Sequence, residues 1–316
     1  MEKPFKPVDL RKVKTYRLLE RKSLVSAEDF AKTHLKGGSF EEFLDSIPGI
    51  LAGKDIRSVI TAIACAHEQG NTVLLAMGAH VIKVGLSPVV IDLMQRGIVS
   101  AVAMNGAGII HDLEVALCGK TSEDVAASIE NGSFGMVKET SLYLADAARI
   151  ADEREVGLGE AVGNMILEKK LPQSQLSILA AGAKLNIPVT VHVAFGTDIV
   201  HMHPEFDPKL TGAATHMDFR IFASVISNLE GGVFLNVGSA VILPEVFLKA
   251  LTVARNLGCP LKNITTVNLD FSQNYRPITN VLRRPTSSGG RGYNLIGHHE
   301  ILLPLIAAGI IEALAG

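Results

Sequence analysis

The chain has 316 residues, of which 47% are hydrophobic, 20% charged and only 5% aromatic, with no Trp and a net charge of -2. That length supports an ample core in one large α/β domain or two small ones, and the composition excludes a disordered chain or a disulfide scaffold. Near-neutral charge gives no reason to expect a nucleic-acid or membrane partner.

The first residues, MEKPFKPVDLRKVK, are charged, carry Pro4 and Pro7, and lack the apolar stretch of a secretory signal. Residues 1–22 set Lys3, Lys6, Arg11, Lys12, Lys14, Arg17, Arg21 and Lys22 against three acids. This reads as an arm with a short amphipathic turn or two, either solvated or clasping a subunit, or binding a polyanion. From residue 25 to about 68 the pattern is helical, with Ser26 before AEDF and Ser39 before FEEFLDSI in N-cap position. The period then changes. Five short apolar runs follow, at 72–78 (TVLLAMG), 99–105 (VSAVAMN), 188–194 (PVTVHVA), 233–238 (VFLNVG) and 264–270 (ITTVNLD), with helical stretches such as 87–96 and 243–256 between them. Strands alternating with helices predict an α/β fold with a mainly parallel sheet and helices on both faces, because near-continuous apolar strands need cover on both sides. Residues 1–68 read as an N-terminal arm and helices and 69–316 as the α/β domain, the whole forming one unit. Cys65, Cys118 and Cys259 lie far apart with no CxxC pair, so a zinc ribbon is excluded and a reducing, cytoplasmic setting is expected. No apolar run is long enough for a membrane span.

Ligands of open parallel sheets bind beyond the carboxyl ends of the strands. The residues just after each run are therefore the candidates: Gly78 and His80, Asn105, Gly106 and Gly108, Asp198, Gly238 and Ser239, and Asp270. Asn105–His111 (NGAGIIH) follows a strand and opens a helix, so Gly106 and Gly108 are expected to present backbone N–H groups to a ligand phosphate. His111 replaces the third glycine of a dinucleotide fingerprint, and a plain tight turn is the alternative.

The stretch Gly78–Leu117 (GAHVIKVGLSPVVIDLMQRGIVSAVAMNGAGIIHDLEVAL) resembles the deoxyhypusine synthase family, which has an S-N-L-x-S-x-G-L turn, a helix, a strand, then T-T-A-G-G and acids. Ile187-Pro188-Val189, Val237-Gly238-Ser239, Asn268 and Leu302-Leu303-Pro304-Leu305 match later anchors in order, so the resemblance spans about three quarters of the chain. It implies a Rossmann-like NAD-binding fold, a homotetramer with sites between subunits, and a transferase chemistry that oxidises spermidine and moves its aminobutyl group through an imine on a lysine.

The sequence departs from that pattern where the chemistry sits. The family's W-G-K lysine is missing, since residues 284–300 read RPTSSGGRGYNLIGHHE and Lys262 is the last lysine. An imine needs a primary amine. The His after the family's glycine triplet is absent, and the double acid has become Ile110-His111 with Asp112 kept. Between Asp270 and Glu300 there is no acid, but Arg276, Arg283, Arg284 and Arg291 with Ser287, Ser288, Gly289 and Gly290. Arginines in such a loop favour phosphate or carboxylate, or form ion pairs.

Histidines crowd the expected strand ends: His80, His111, His192, His201, His203, His298 and His299. His201 and His203 on an extended segment would share a face. With His192 or Asp198 they could hold a metal, although no metal is expected; proton transfer or a structural role are the other readings. Asp198 and Asp112 either orient a histidine or meet a ribose hydroxyl, or cap helices. Lys83 and His298 complete the substrate-side candidates. The expectation is a deoxyhypusine synthase-like enzyme that binds NAD or another nucleotide and acts on an anionic small molecule, with His111, His201, His203 and Asp198 moving protons. A true NAD-dependent aminobutyl transferase and a non-catalytic oligomeric nucleotide-binding protein are the alternatives.

Overall fold

The computed structural model describes residues 5–314; Lys3 of the basic arm lies outside the described residues. Its helices are α1 (Phe40–Ser46), α2 (Leu51–Glu68), α3 (His80–Lys83), α4 (Ser87–Gln95), α5 (Gly106–Cys118), α6 (Val125–Ile129), α7 (Lys138–Arg154), α8 (Leu158–Glu168), α9 (Ile178–Leu185), α10 (Pro208–Ser227), α11 (Ile242–Asn256) and α12 (His299–Ala313). Its strands are β1 (Val73–Met77), β2 (Ala101–Asn105), β3 (Val189–His192), β4 (Val233–Val237), β5 (Thr265–Asp270) and β6 (Arg291–Ile296).

All six strands are parallel, in the order β3-β2-β1-β4-β5-β6. The five apolar runs of the sequence are β1 to β5. Successive side chains of β1 serve opposite faces, as a two-residue period requires. Val73, Leu75 and Met77 join a core with Ile63 of α2, Met94 of α4 and Ile306 of α12. Leu74 and Ala76 join another with Phe222 of α10 and Phe247 of α11, where Phe247 stacks on Phe234 at 3.8 Å between centroids. Helices therefore cover both faces, and β1 and β4 are buried throughout.

Parallel register collects the carboxyl ends on one edge: Met77 pairs with Met104 and Val237, Asn105 with His192, Val237 with Leu269, and Asp270 with Ile296. The strand order reverses between β1 and β4, which makes that junction the topological switch point. Among the described residues, no helix is long and apolar enough to cross a membrane.

Two expectations are corrected. Residues 25–38 are not helical: Ser26 caps only a single 3-10 turn, Ala27–Asp29, and the helix expected from Ser39 begins the regular structure, with a capping box to Glu42. Among the described residues, the arm before it holds only two further 3-10 turns, Leu10–Lys12 and Leu18–Glu20, and leaves Phe5, Leu19 and Leu24 at 87%, 98% and 91% exposure. Residues 271–299 are not a loop either. They form a π-helical crossover, Pro277–Arg283, and the edge strand β6, in which only Leu295 is buried.

Candidate functional site

At the switch point the backbones of two strand ends touch. Gly78 N–H donates to Val237 O at 2.9 Å, and a Cβ on Gly78 would lie 2.2 Å from Gly238 O. Gly238 turns away at φ +66°, a conformation suited to glycine. Three rings gather over this junction: His80 lies 5.5 Å from His299 and 6.4 Å from Phe271, centroid to centroid. His299 is buried. Its Nε2 lies 3.3 Å from Leu269 O, while its Nδ1 has no partner among the described residues. Burial holds the His299 pKa below the ordinary histidine range, against the pull of Leu269 O and Asp270. Asp270 turns its carboxylate to the Phe271 N–H (2.8 Å), and Ser239 Oγ accepts from Leu243 N–H in the first turn of α11. Beneath them Asn236, Asn268 and Asn294 hand a chain of amide hydrogen bonds across β4, β5 and β6 at 2.8 and 2.9 Å.

The glycine turn lies one strand over, at the start of α5. Asn105 caps the helix by accepting the Gly108 N–H at 2.9 Å, so that N–H is already used, and the Gly108 Cα faces Met104 of β2. Gly106 is covered by Asp198, whose Oδ2 would lie 1.8 Å from a Cβ at that position. The Asp198 carboxyl thus sits directly against the first turn of α5. Burial pushes the Asp198 carboxyl up to about 6, with the Thr197 hydrogen bond opposing it. His201 faces it, Nε2 to Oδ2 at 3.9 Å, and neither atom has a hydrogen-bond partner. Because His201 Nδ1 accepts from Gly196 and Asp198 N–H groups (3.0 and 3.3 Å), the neutral ring carries its proton on Nε2. Both side chains line a cavity of about 30 Å³, the share of one water molecule.

Asp198 also walls a cleft of about 750 Å³, whose lining includes Lys83, Ala107, Ile110, His111, Phe134 and Val137. His111 heads a hydrogen-bond chain there. Its Nδ1 lies 2.5 Å from Thr121 Oγ1, Thr121 donates to Glu114 Oε2 at 2.5 Å, and Thr140 donates to Glu114 Oε1 at 3.1 Å. Thr121 has spent its proton on Glu114, so His111 Nδ1 must be the donor and Nε2 keeps a lone pair. Burial lowers the His111 pKa; the Glu114 charge works against this and the Lys83 charge with it. Neutral His111 at this position is a competent proton acceptor.

Other expected residues go elsewhere. His201 and His203 do not share a face, because Ile199–Met202 is a 3-10 turn rather than an extended segment; His203 Nε2 meets Gly135 O at 2.8 Å. His192 is buried beside Thr190 and Phe222, its pKa pushed down to about 3 by burial. Among the described residues no three His, Cys, Asp or Glu side chains converge as a metal site. Asp112 reaches away from the cleft to cap α9, accepting from Ser177 and from the Ile178 and Leu179 N–H groups. The π-helical crossover runs from the carboxyl edge back to the amino edge, which separates the arginines. Arg276 pairs with Glu245 at 3.2 Å, Arg284 donates to Asn280, which donates to the same Glu245, and Arg283 is exposed. Arg291 opens β6 opposite Thr265, at the amino edge. His298 is exposed beside Glu300, whereas its neighbour His299, one of the strand-end histidines but given no role there, lies at the switch point.

Fold and strand order define a Rossmann-like α/β protein. No protein-family model matches the sequence, and no curated protein does. Solved structures do match. One is a protein assigned to the LOR/SDH type from Methanococcus maripaludis S2, at 15% identity and TM-score 0.53 over 84% of this chain and 71% of that one. Another is AgrE in a ternary complex with ornithine and NAD+, at 14% identity and TM-score 0.52 over 84% of this chain and 34% of that one, so the chain spans about a third of AgrE. A third is a protein assigned as a deoxyhypusine synthase from Entamoeba histolytica, at 14% identity and TM-score 0.50 over 88% of this chain and 94% of that one. At these identities the likeness is one of fold.

Proposed function

We propose that this chain is a deoxyhypusine synthase-like enzyme that binds NAD across the β1/β4 switch point and transforms a small molecule in the adjoining cleft. The observation that carries this is the contact of Gly78 with Gly238 under the rings of His80, Phe271 and His299. It brings a dinucleotide-sized edge within reach of backbone and of planar groups that can stack on a base or nicotinamide. AgrE, a neighbour in fold, was solved with NAD+. In the cleft, Nε2 of His111 takes a proton from substrate, and Glu114 stabilises the imidazolium through Thr121. The Asp198 carboxyl, pushed up to about 6, exchanges protons with the same cleft, with the His201 ring 3.9 Å away. Lys83 supplies the cation for an anionic group on the substrate at this edge. Neither the cytoplasmic setting nor the tetramer is needed for this reading.

Calorimetric titration of the full chain with NAD+ tests it. Binding should be saturable, weaken about tenfold or more in His80→Ala, and persist in His111→Gln, which leaves the edge intact. No heat with NAD+, NADP+ or AMP, or unchanged affinity in His80→Ala, removes the nucleotide from the switch point.

A further inference from the structure

A second groove lies at the other end of the sheet, with a volume of about 440 Å³ between α2 and the starts of β5 and β6. Its walls are Lys54, Arg57, Ser58, Thr61, Ala62, Cys65, Thr265, Arg291 and Tyr293. The periods of the two elements bring them together. Lys54, Ser58, Thr61 and Cys65 follow one stripe of α2 at intervals of four and three residues. Arg291 and Tyr293 share a face of β6, and Thr265 is the register partner of Arg291.

The chemistry of this lining is one-sided. None of its residues is an acid. Arg57 is fixed by donating to the carbonyls of Leu44, Ile47 and Pro48 at 2.8 to 3.0 Å, which uses three of its five N–H groups without neutralising its charge. Lys54 and Arg291 are exposed and have no ion-pair partner among the described residues, although every other described arginine except Arg17, Arg21, Arg220 and Arg283 is held by a carboxylate, a carbonyl or an amide. Among the described residues, the hydroxyls of Ser58, Thr61, Thr265 and Tyr293 likewise have no hydrogen-bond partner. Converging cations, free hydroxyl donors and no carboxylate are the complement of a dianionic tetrahedral oxyanion.

We infer that this amino-edge groove is a binding site for a phosphate group, separate from the carboxyl-edge cleft. Arg291 offers its planar fork, Lys54 a point charge from the facing helix, Ser58, Thr61 and Thr265 hydroxyl donors, and Tyr293 an apolar wall for whatever the phosphate is attached to. The arginine cluster of the sequence points to an anion, but only Arg291 of the four reaches this site. The opposite ends of one rigid sheet connect the two sites, so occupancy here is free to coexist with a ligand there.

The probe is inorganic phosphate on the full chain, with chloride matched for ionic strength. Phosphate should raise the melting temperature and slow alkylation of Cys65, which is exposed in the groove. Arg291→Ala and Lys54→Ala should each weaken the apparent phosphate affinity about tenfold or more, and Arg291→Lys should recover part of it. Three results overturn the inference: equal stabilisation by chloride, equal phosphate binding in an Arg291→Ala/Lys54→Ala double variant, or Cys65 protection that rises with protein concentration and not with phosphate.

Discussion

Thr121 has one hydroxyl proton, and Glu114 takes it. That bond fixes the His111 tautomer, with the proton on Nδ1 and the lone pair on Nε2. Thr121→Val keeps the shape and removes the acceptor. The ring should then move its proton to Nε2, and turnover should fall about a hundredfold, within the usual range for a general base. Nitrogen chemical shifts of the His111 ring read the tautomer directly, and an unchanged tautomer would show that Thr121 does not set it. Because burial holds the His111 pKa down, the ring should also stay neutral to lower pH than an exposed histidine does. His299 shows the same dependence on context from the other side. In the sequence it is one of two adjacent histidines, and nothing local tells which is buried; the start of α12 turns His298 to solvent and His299 onto Leu269.

At the scale of elements, β1 to β5 were legible because each is apolar throughout and closes on a small or polar residue, the pattern of a strand covered on both faces. β6 was not, because an edge strand with one buried side chain has no such pattern, and its Arg, Gly and Asn read as loop residues. The arginine site failed with it, since a crossover helix carries residues 283–291 to the opposite edge. The glycine turn was legible as a turn and a helix start, but not in what its glycines face. Gly108 packs on β2: an added Cβ would lie 3.0 Å from Met104 Cβ. Gly108→Val should therefore cost roughly 1–3 kcal/mol by overpacking, visible as a lower urea midpoint, whether or not nucleotide is present. A fully stable variant that merely loses nucleotide would mean that Gly108 faces the ligand after all.

For the whole molecule, buried titratable groups pull stability in opposite directions with pH. Burial raises Asp112 to about 6 and Asp218, which accepts the Gly159 and Val191 N–H groups, to about 7. The stability they contribute is fully present below the unfolded pKa and is lost as pH rises through 6 to 7. His192, lowered to about 3, contributes stability above its unfolded pKa that is lost as pH falls. Asp218→Asn should consequently improve relative to the unmodified protein as pH goes from 5 to 8, measured as urea midpoints; a constant difference would mean that Asp218 does not titrate in this range. The strand order bears on something else, the moment at which the chain becomes able to fold. β1 and β2 leave the ribosome early, but the other neighbour of β1 begins at Val233. For some 150 residues of synthesis a wholly apolar strand has one open edge. A nascent chain arrested before Val233 should be captured by chaperones or precipitate, and one extended past β4 should be released.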